Sequence, residues 1–158
     1  MENILLFTAI ISSGLMSGIF FTWTNAVKPG IGKLDNITYL NAFKSMNKVI
    51  LNPLFFIVFI LPILTIPIST FLSFDSTKNY VFELLLISSI IYFTGVFLVT
   101  VLGNIPLNEL LDRTDLNKLS QKELDTFRKK IENKWNKFNL VRTLTSFISF
   151  LLSTICLI

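Results

Sequence analysis

A cationic side chain with aromatic and amide neighbours lies near the carboxyl end of the chain, in a stretch that is otherwise apolar. Trp135, Asn139 and Arg142 are spaced at i, i+4 and i+7, which places them on one face of an α-helix. A guanidinium in such a stretch either snorkels to the membrane surface or finds partners inside the protein. Polar groups that converge beside an apolar interior indicate a small-molecule site, although the same groups could simply tie helix ends together.

Partners for this face are available at the end of another apolar segment. Asn104 and Asn108 are four residues apart and share a side if the helix continues through them. Pro106 stands between them and is expected to break the regular hydrogen bonding of that helix. We expect these side chains to meet Trp23 and Asn25, at the end of the first apolar segment, at one end of a bundle. The predicted ligand-binding or structural cluster comprises Asn104, Asn108, Trp135, Asn139 and Arg142.

Residue types that are missing narrow the chemistry. The chain has no histidine, which is the commonest general base and the commonest metal ligand. Its single cysteine, Cys156, permits neither a disulfide nor a thiolate metal cluster within one chain. Neither standard type of glycine-rich phosphate loop occurs in the sequence. Hydrolytic triads with histidine, zinc enzymes and histidine-ligated haem are therefore excluded within one chain, and we expect no metal or other cofactor.

The elements that must position these side chains are helices that cross a membrane. Of the 158 residues, 52% are hydrophobic and only 15% are charged, whereas about a quarter of the residues in soluble domains are charged. A helix needs about 20 apolar residues to span a bilayer, and four segments reach that length. We therefore predict an all-α fold, a four-transmembrane-helix bundle that forms one integral membrane domain over residues 1–158. The predicted spans are approximately residues 4–27, 53–74, 80–102 and 139–158.

Lysine and arginine residues are distributed very unevenly between the predicted loops. The loop between the first two spans and the stretch between the last two carry 12 of the 14, and Arg142 lies at the edge of that stretch, whereas the turn between the second and third carries only Lys78. Because basic loops stay in the cytoplasm, we expect a multi-pass protein of the cell membrane with both basic loops cytoplasmic and both termini outside. The lipid bilayer is the predicted partner. Nucleic acid is not, because the basic residues are mixed with acids and lack interleaved aromatic residues.

The first cytoplasmic loop is predicted to contain an amphipathic helix. Residues 38–52 place Tyr39 and Phe43 at helical spacing, with polar residues on the opposite side. This pattern fits an interfacial helix on the inner membrane surface, or a loop helix packed on the bundle. Asn52 followed by Pro53 is typical of the start of the next helix.

The second cytoplasmic stretch is predicted to extend the fourth span. Ser120 and Glu123 have the spacing of a capping box, which marks a helix start. Neither proline nor glycine follows Ser120 in the chain. One helix should therefore rise from the cytoplasm and become the last span.

Small residues on the first span suggest close helix packing. Gly14 and Gly18 form a G-x-x-x-G pair, a spacing that lets helix backbones approach each other. The pair could pack within the four-helix bundle, or it could support a homo-oligomer. In the second case this face would be an intermolecular surface.

Two strings in the chain resemble those of a known family. The N-x-P-x-N string of residues 104–108 and the W-x-x-x-N-x-x-R string of residues 135–142 resemble the anthrone oxygenase-like family of small four-helix integral membrane proteins. The Lys-Pro-Gly string of residues 28–30 and the Asn-Pro pair of residues 52–53 are similar too. The positions that match the family pattern are Asn104, Pro106, Asn108, Trp135, Asn139 and Arg142.

The resemblance implies a membrane bundle and, through fungal members, oxidation of an anthrone to an anthraquinone by dioxygen without metal or flavin. Most bacterial members have no assigned function. This chain has no histidine to deprotonate an anthrone. A base near the site would have to be a carboxylate such as Glu109 or Asp112.

Two functions are consistent with these features. The first is a membrane protein that binds or oxidises a small hydrophobic aromatic molecule at the cluster, with a closed-ended cavity into which Asn108 and Arg142 point. The second is a non-catalytic membrane component or partner subunit that packs through the Gly14/Gly18 face. The sequence assigns no catalytic residue.

Overall fold

A computed structural model describes residues 2–74 and 79–158 and contains five α-helices within them. Helix α1 comprises Glu2–Thr22, a π-helical turn at Trp23–Val27 and a final turn at Lys28–Ile31. Helices α2 and α3 are Asn36–Ile50 and Pro53–Leu72. Helix α4 runs from Asn79–Tyr92 through π-helical turns at Phe93–Leu98 and Thr100–Asn104 into Ile105–Arg113. Helix α5, Gln121–Ile155, follows a short 3₁₀ turn at Leu116–Lys118.

Helices α1, α3, α4 and α5 are each long and apolar enough to cross a membrane. Helices α1 and α4 both pack against α3 and α5, so the four form a closed bundle in which α1 and α4 are diagonal. Large apolar side chains such as Leu54, Phe71 and Leu102 face outward, as expected for helices in contact with lipid. The protein is thus a multi-pass helical membrane protein, as its composition predicts. The predicted turn at Lys78 lies outside the described residues.

Both long connections lie at the same end of the bundle, which we call the basic end. Helix α2 packs there against α4 and α5. Its Tyr39, Leu40 and Phe43 are almost completely buried in a small second core that α4 and α5 complete. The amphipathic helix therefore forms, and its apolar face packs on the bundle.

Side-chain caps define where three of the helices begin. The Asp35 carboxylate accepts from Thr38 N (3.1 Å) at the start of α2, and Asn52 Oδ1 accepts from Phe55 N (3.0 Å) at the start of α3. At the start of α5, the Ser120 hydroxyl accepts from the Glu123 amide, and Glu123 Oε2 accepts from the Ser120 amide (2.8 Å). The capping box is confirmed, and α5 continues without interruption into the last span.

The close approach of α4 and α5 fixes the register between these two helices, and this register determines which side chains meet at the site. A Cβ atom on Gly95 would lie 2.6 Å from Cβ of Thr145, and one on Gly103 would lie 2.9 Å from the Phe138 ring, so neither glycine can be replaced without movement. Further along, the Ser88 hydroxyl lies 2.7 Å from that of Ser149. This contact brings the half of α4 remote from the basic end directly against the polar face of α5.

The α4 helix continues through Pro106, contrary to the expected break. Pro106 lies in the first turn of the α-helical part, immediately after the π-helical turn that ends at Asn104. Proline is common in the first turn of an α-helical segment because its fixed φ suits the helix, which explains why α4 tolerates it there. Asn104 and Asn108 therefore remain on one continuous helix.

The two glycines of the first span have different surroundings. A Cβ atom on Gly14 would lie 3.0 Å from the Phe150 ring of α5, so Gly14 packs within the bundle. A Cβ atom on Gly18 would have no neighbour within 4 Å. The pair lines an outward-facing groove of about 680 Å³ rather than a closed helix contact.

Candidate functional site

Arg142 lies inside the bundle at its basic end and is only 5% exposed. Its Nη1 donates to the Thr100 hydroxyl (3.4 Å) and its Nη2 to Asn139 Oδ1 (2.9 Å). The rings of Phe20 and Trp135 lie 4.4 and 5.0 Å from the guanidinium carbon. The side chain therefore points into the protein rather than snorkelling to the surface.

The hydrogen-bonding capacity of Arg142 is not filled. A guanidinium has five N–H donors and no acceptor, and Nε is buried without a hydrogen-bond partner among the described residues. No carboxylate in the described part of the chain forms an ion pair with Arg142. A buried cation held only by neutral groups is energetically unfavourable, which is why such residues are rare outside functional sites.

Asn139 fixes the position of the guanidinium. Its Nδ2 donates to the Phe20 carbonyl (3.1 Å) and to the Thr24 hydroxyl (3.0 Å), both on α1. Since the Phe20 carbonyl can only accept, the amide nitrogen must face α1, and the amide oxygen is left facing Arg142, to which it bonds. Asn139 thus connects α1 to the cation on α5.

Asn104 is the second amide buried at this level of the bundle. It is 1% exposed, and its Nδ2 donates to the Trp135 carbonyl (3.3 Å). Its Oδ1 is buried without a partner among the described residues. We call the residues around the guanidinium at this level of the bundle the Arg142 centre. They are Phe20, Thr100, Asn104, Trp135, Asn139 and Arg142.

Asn108 lies one turn further along α4 and belongs to a different layer. Its Oδ1 accepts from Trp135 Nε1 (2.8 Å) and from Asn47 Nδ2 (3.1 Å) of α2. Trp23 and Phe43 pack against Trp135, with ring centroids 4.4 and 5.1 Å away. Asn108 therefore orients the aromatic layer through which the Arg142 centre meets α2, and its side-chain hydrogen bonds go to Trp135 and Asn47 rather than to Arg142.

Each contact that α1 or α4 makes with the polar groups of Asn139 and Arg142 involves a π-helical turn or its flank. Thr24 lies in the turn Trp23–Val27, and Thr100 lies in the turn Thr100–Asn104. Phe20, whose carbonyl accepts from Asn139, lies three residues before the first of these turns. Single π-helical turns within α-helices occur frequently at functional sites. Their convergence on Asn139 and Arg142 makes this the strongest candidate site in the described chain.

Arg128 holds the basic end together by a set of contacts outside the Arg142 centre. Its guanidinium donates to the carbonyls of Gly32 (2.8 Å) and Leu34 (2.7 Å) in the connection after α1. It also pairs with Glu132 at 3.0 Å and lies 4.3 Å from the centre of the Tyr39 ring. Arg128 is thus a structural cation with a carboxylate partner and a bonded Nε, in contrast to Arg142.

The carboxylates that were candidate bases are not at the site. Glu109 is exposed and pairs with Arg113 at 3.1 Å, whereas Asp112 is exposed and pairs with Lys48 at 3.1 Å. Burial, assisted by the Glu132 carboxylate, raises the pKa of the Tyr39 phenol, so this group is no base at neutral pH either. The arrangement at Arg142 can hold an acceptor or an anion, but it offers no side chain to abstract a proton.

Three cavities of the described chain lie away from the Arg142 centre. Each of them is open to the outside and has a volume of about 290–680 Å³. They are lined by Pro62, Pro67 and Tyr92 between α3 and α4, by Lys44 and Asp112 at the basic end, and by Gly14 and Gly18 on α1. The closed-ended cavity predicted beside Asn108 and Arg142 is not one of these three, and Arg142 is buried.

These features define a polytopic helical membrane protein with a buried polar centre at one end of its bundle. The family model for anthrone oxygenase matches residues 52–152, and the chain therefore belongs to the anthrone oxygenase family. The matched range includes Asn104, Asn108, Trp135, Asn139 and Arg142, whereas α1 precedes it. No curated protein and no solved structure matches the chain.

Several residues of the site were missed by sequence reasoning. Phe20 and Thr24 on α1 contact Asn139, and Thr100 on α4 contacts Arg142. The sequence does contain a signal for these residues. Phe20 lies four residues before Thr24, and Thr100 lies four residues before Asn104, so each pair shares a helix face. Asn47 of α2 carries no such signal.

Proposed function

We propose that this member of the anthrone oxygenase family binds a small hydrophobic aromatic molecule at the Arg142 centre. The observation that carries the proposal is the buried guanidinium, which has no carboxylate partner and an Nε donor without a bond. A cation in this state has hydrogen-bonding and electrostatic capacity that a ligand can use. The aromatic rings of Phe20 and Trp135 beside it favour a flat ligand.

A purely structural role explains the cluster less well. Asparagine and threonine side chains join membrane helices without carrying a charge. The charge at residue 142 adds a desolvation penalty of several kcal/mol, on the order estimated for buried ions. A ligand that bonds to Nε would offset part of this desolvation penalty. Ligand binding therefore explains why residue 142 is charged, which a structural role does not.

Binding at this centre requires a local opening, because the guanidinium is enclosed by packed side chains. The π-helical turns of α1 and α4 flank the centre and are the least regular parts of the bundle. We propose that these turns move when the ligand enters. Family membership supports an aromatic ligand, while oxidation of that ligand is not part of this proposal.

Native mass spectrometry of the protein purified from its own membranes tests the proposal. We expect the parent to retain one small aromatic molecule per chain, and Arg142→Met to lose it. The control is Lys137→Met, which removes an exposed cation five residues earlier on the same helix and should retain the molecule. Equal retention by all three proteins, or no bound molecule in the parent, would contradict the proposed function.

A further inference from the structure

The groups that contact the Arg142 guanidinium in the described part of the chain are all neutral. Phe20 faces it from α1, Thr100 from α4, and Trp135 and Asn139 from α5. None of these groups carries a charge.

The acidic side chains at the basic end are engaged elsewhere. Each of five carboxylates lies within 4 Å of another cation, and Arg142 is not among those cations. The pairs are Glu109–Arg113, Asp112–Lys48, Asp115–Lys118, Asp125–Lys129 and Glu132–Arg128.

From this imbalance we infer that the Arg142 centre binds its aromatic ligand as an oxyanion, the deprotonated form of a phenol, enol or carboxylic acid. The inference rests on the proposed function and specifies the charge of the ligand. The anionic oxygen accepts from Nε–H of Arg142, and the proton that the ligand loses passes to bulk water. A neutral ligand would leave the buried charge uncompensated, whereas an anion neutralises it within hydrogen-bonding distance.

This assignment accounts for the absence of a base beside the centre. An opposite charge within about 4–6 Å shifts the ionisation of an acid by about one to three pKa units. For a weakly acidic ligand, the ratio of ionised to neutral form would rise by about 10- to 1,000-fold on binding. Arg142 would therefore favour the anionic form of the ligand by stabilising it, without a histidine or carboxylate to remove the proton.

The test uses 4-nitrophenol, whose anion absorbs visible light, and its non-ionisable analogue 4-nitroanisole. The protein is held in nanodiscs of zwitterionic phosphatidylcholine. Trp23 and Trp135 are the two tryptophans of the chain, and their rings are 4.4 Å apart at the edge of the centre. Quenching of their fluorescence reports binding of either probe, while the absorption of bound 4-nitrophenol reports its ionisation.

At a pH one unit below the ionisation midpoint of free 4-nitrophenol, we expect about half or more of the bound probe to absorb as the anion. At a pH above that midpoint, we expect 4-nitrophenol to bind about 10-fold or more tightly than 4-nitroanisole, in line with the shift above. Arg142→Met should abolish both effects, and Lys137→Met should preserve them. If Arg142→Met does not fold, the absorption spectrum of 4-nitrophenol bound to the parent protein still shows whether the ligand is bound as an anion.

Three other outcomes would overturn the inference in distinguishable ways. If both probes quench equally and 4-nitrophenol stays neutral, the ligand is not an anion, but the proposed binding function stands. If anionic phosphatidylglycerol added to the nanodiscs removes the difference between the probes, a headgroup phosphate occupies the centre instead. If neither probe quenches the tryptophans, the proposed function fails together with the inference.

Discussion

Replacing Arg128 by alanine should lower the free energy of unfolding by about 3–5 kcal/mol, the range for removing one partner of a buried ion pair. The side chain of Arg128 is 13% exposed and that of Glu132 is 23% exposed, so solvent cannot compensate fully for the lost contacts. The substitution would also leave the carbonyls of Gly32 and Leu34 without this donor. Chemical unfolding in detergent, followed by circular dichroism, measures the change.

The matched control is the neighbouring Lys129→Ala. Lys129 pairs with Asp125 at 2.7 Å, but their side chains are 69% and 45% exposed. Exposed pairs of this kind contribute about 1 kcal/mol or less. Equal losses of stability for Arg128→Ala and Lys129→Ala would show that the contacts of Arg128 do not hold the basic end together.

Replacing Arg142 by methionine should have the opposite effect and stabilise the protein in the absence of ligand. The substitution removes a buried charge whose desolvation costs several kcal/mol. It also leaves Asn139 Oδ1 without its donor, which costs about 1–3 kcal/mol. The first effect is larger, so we expect a net gain on the order of 1–2 kcal/mol. The same unfolding measurement checks the sign.

The sign of the change in the free energy of unfolding distinguishes a binding site from a purely structural cluster. If the Arg142 centre mainly holds helices together, Arg142→Met should destabilise the bundle, as Arg128→Ala does. Functional residues are often held at a cost in stability that substitution relieves. A loss of 3 kcal/mol or more, which matches removal of a structural ion, would contradict the interpretation of Arg142 as a ligand-binding residue.

Much of the fold could be predicted from the sequence, because its signals are local. Runs of apolar residues predicted the four spans, and the capping pattern at Ser120 and Glu123 predicted the start of α5. The family resemblance carried by residues 104–108 and 135–142 is also confirmed by the family match. These signals depend on composition and on spacing within one helix, which a single sequence reveals.

Contacts between helices were harder to predict. The face of Trp135, Asn139 and Arg142 followed from helical spacing, but its partners depend on the register between α4 and α5. That register depends on Gly95 and Gly103, whose close neighbours on α5 are not adjacent in sequence. The π-helical turns also change which side chains share a helix face. Each one adds a residue to a turn and so rotates the rest of the helix about its axis. As a result, Thr100 reaches Arg142, whereas Asn108 contacts Trp135.

Nuclear magnetic resonance of the arginine Nε–H groups tests most directly whether Arg142 receives the ligand. Arg113, Arg128 and Arg142 are the only arginines in the sequence, so selective ¹⁵N labelling gives one signal for each. When 4-nitrophenol saturates the protein, the Nε–H signal of Arg142 should move downfield and exchange more slowly with water. The Arg128 signal should stay in place, because its Nε already bonds to Glu132. An unchanged Arg142 signal in the saturated protein would show that the ligand binds elsewhere.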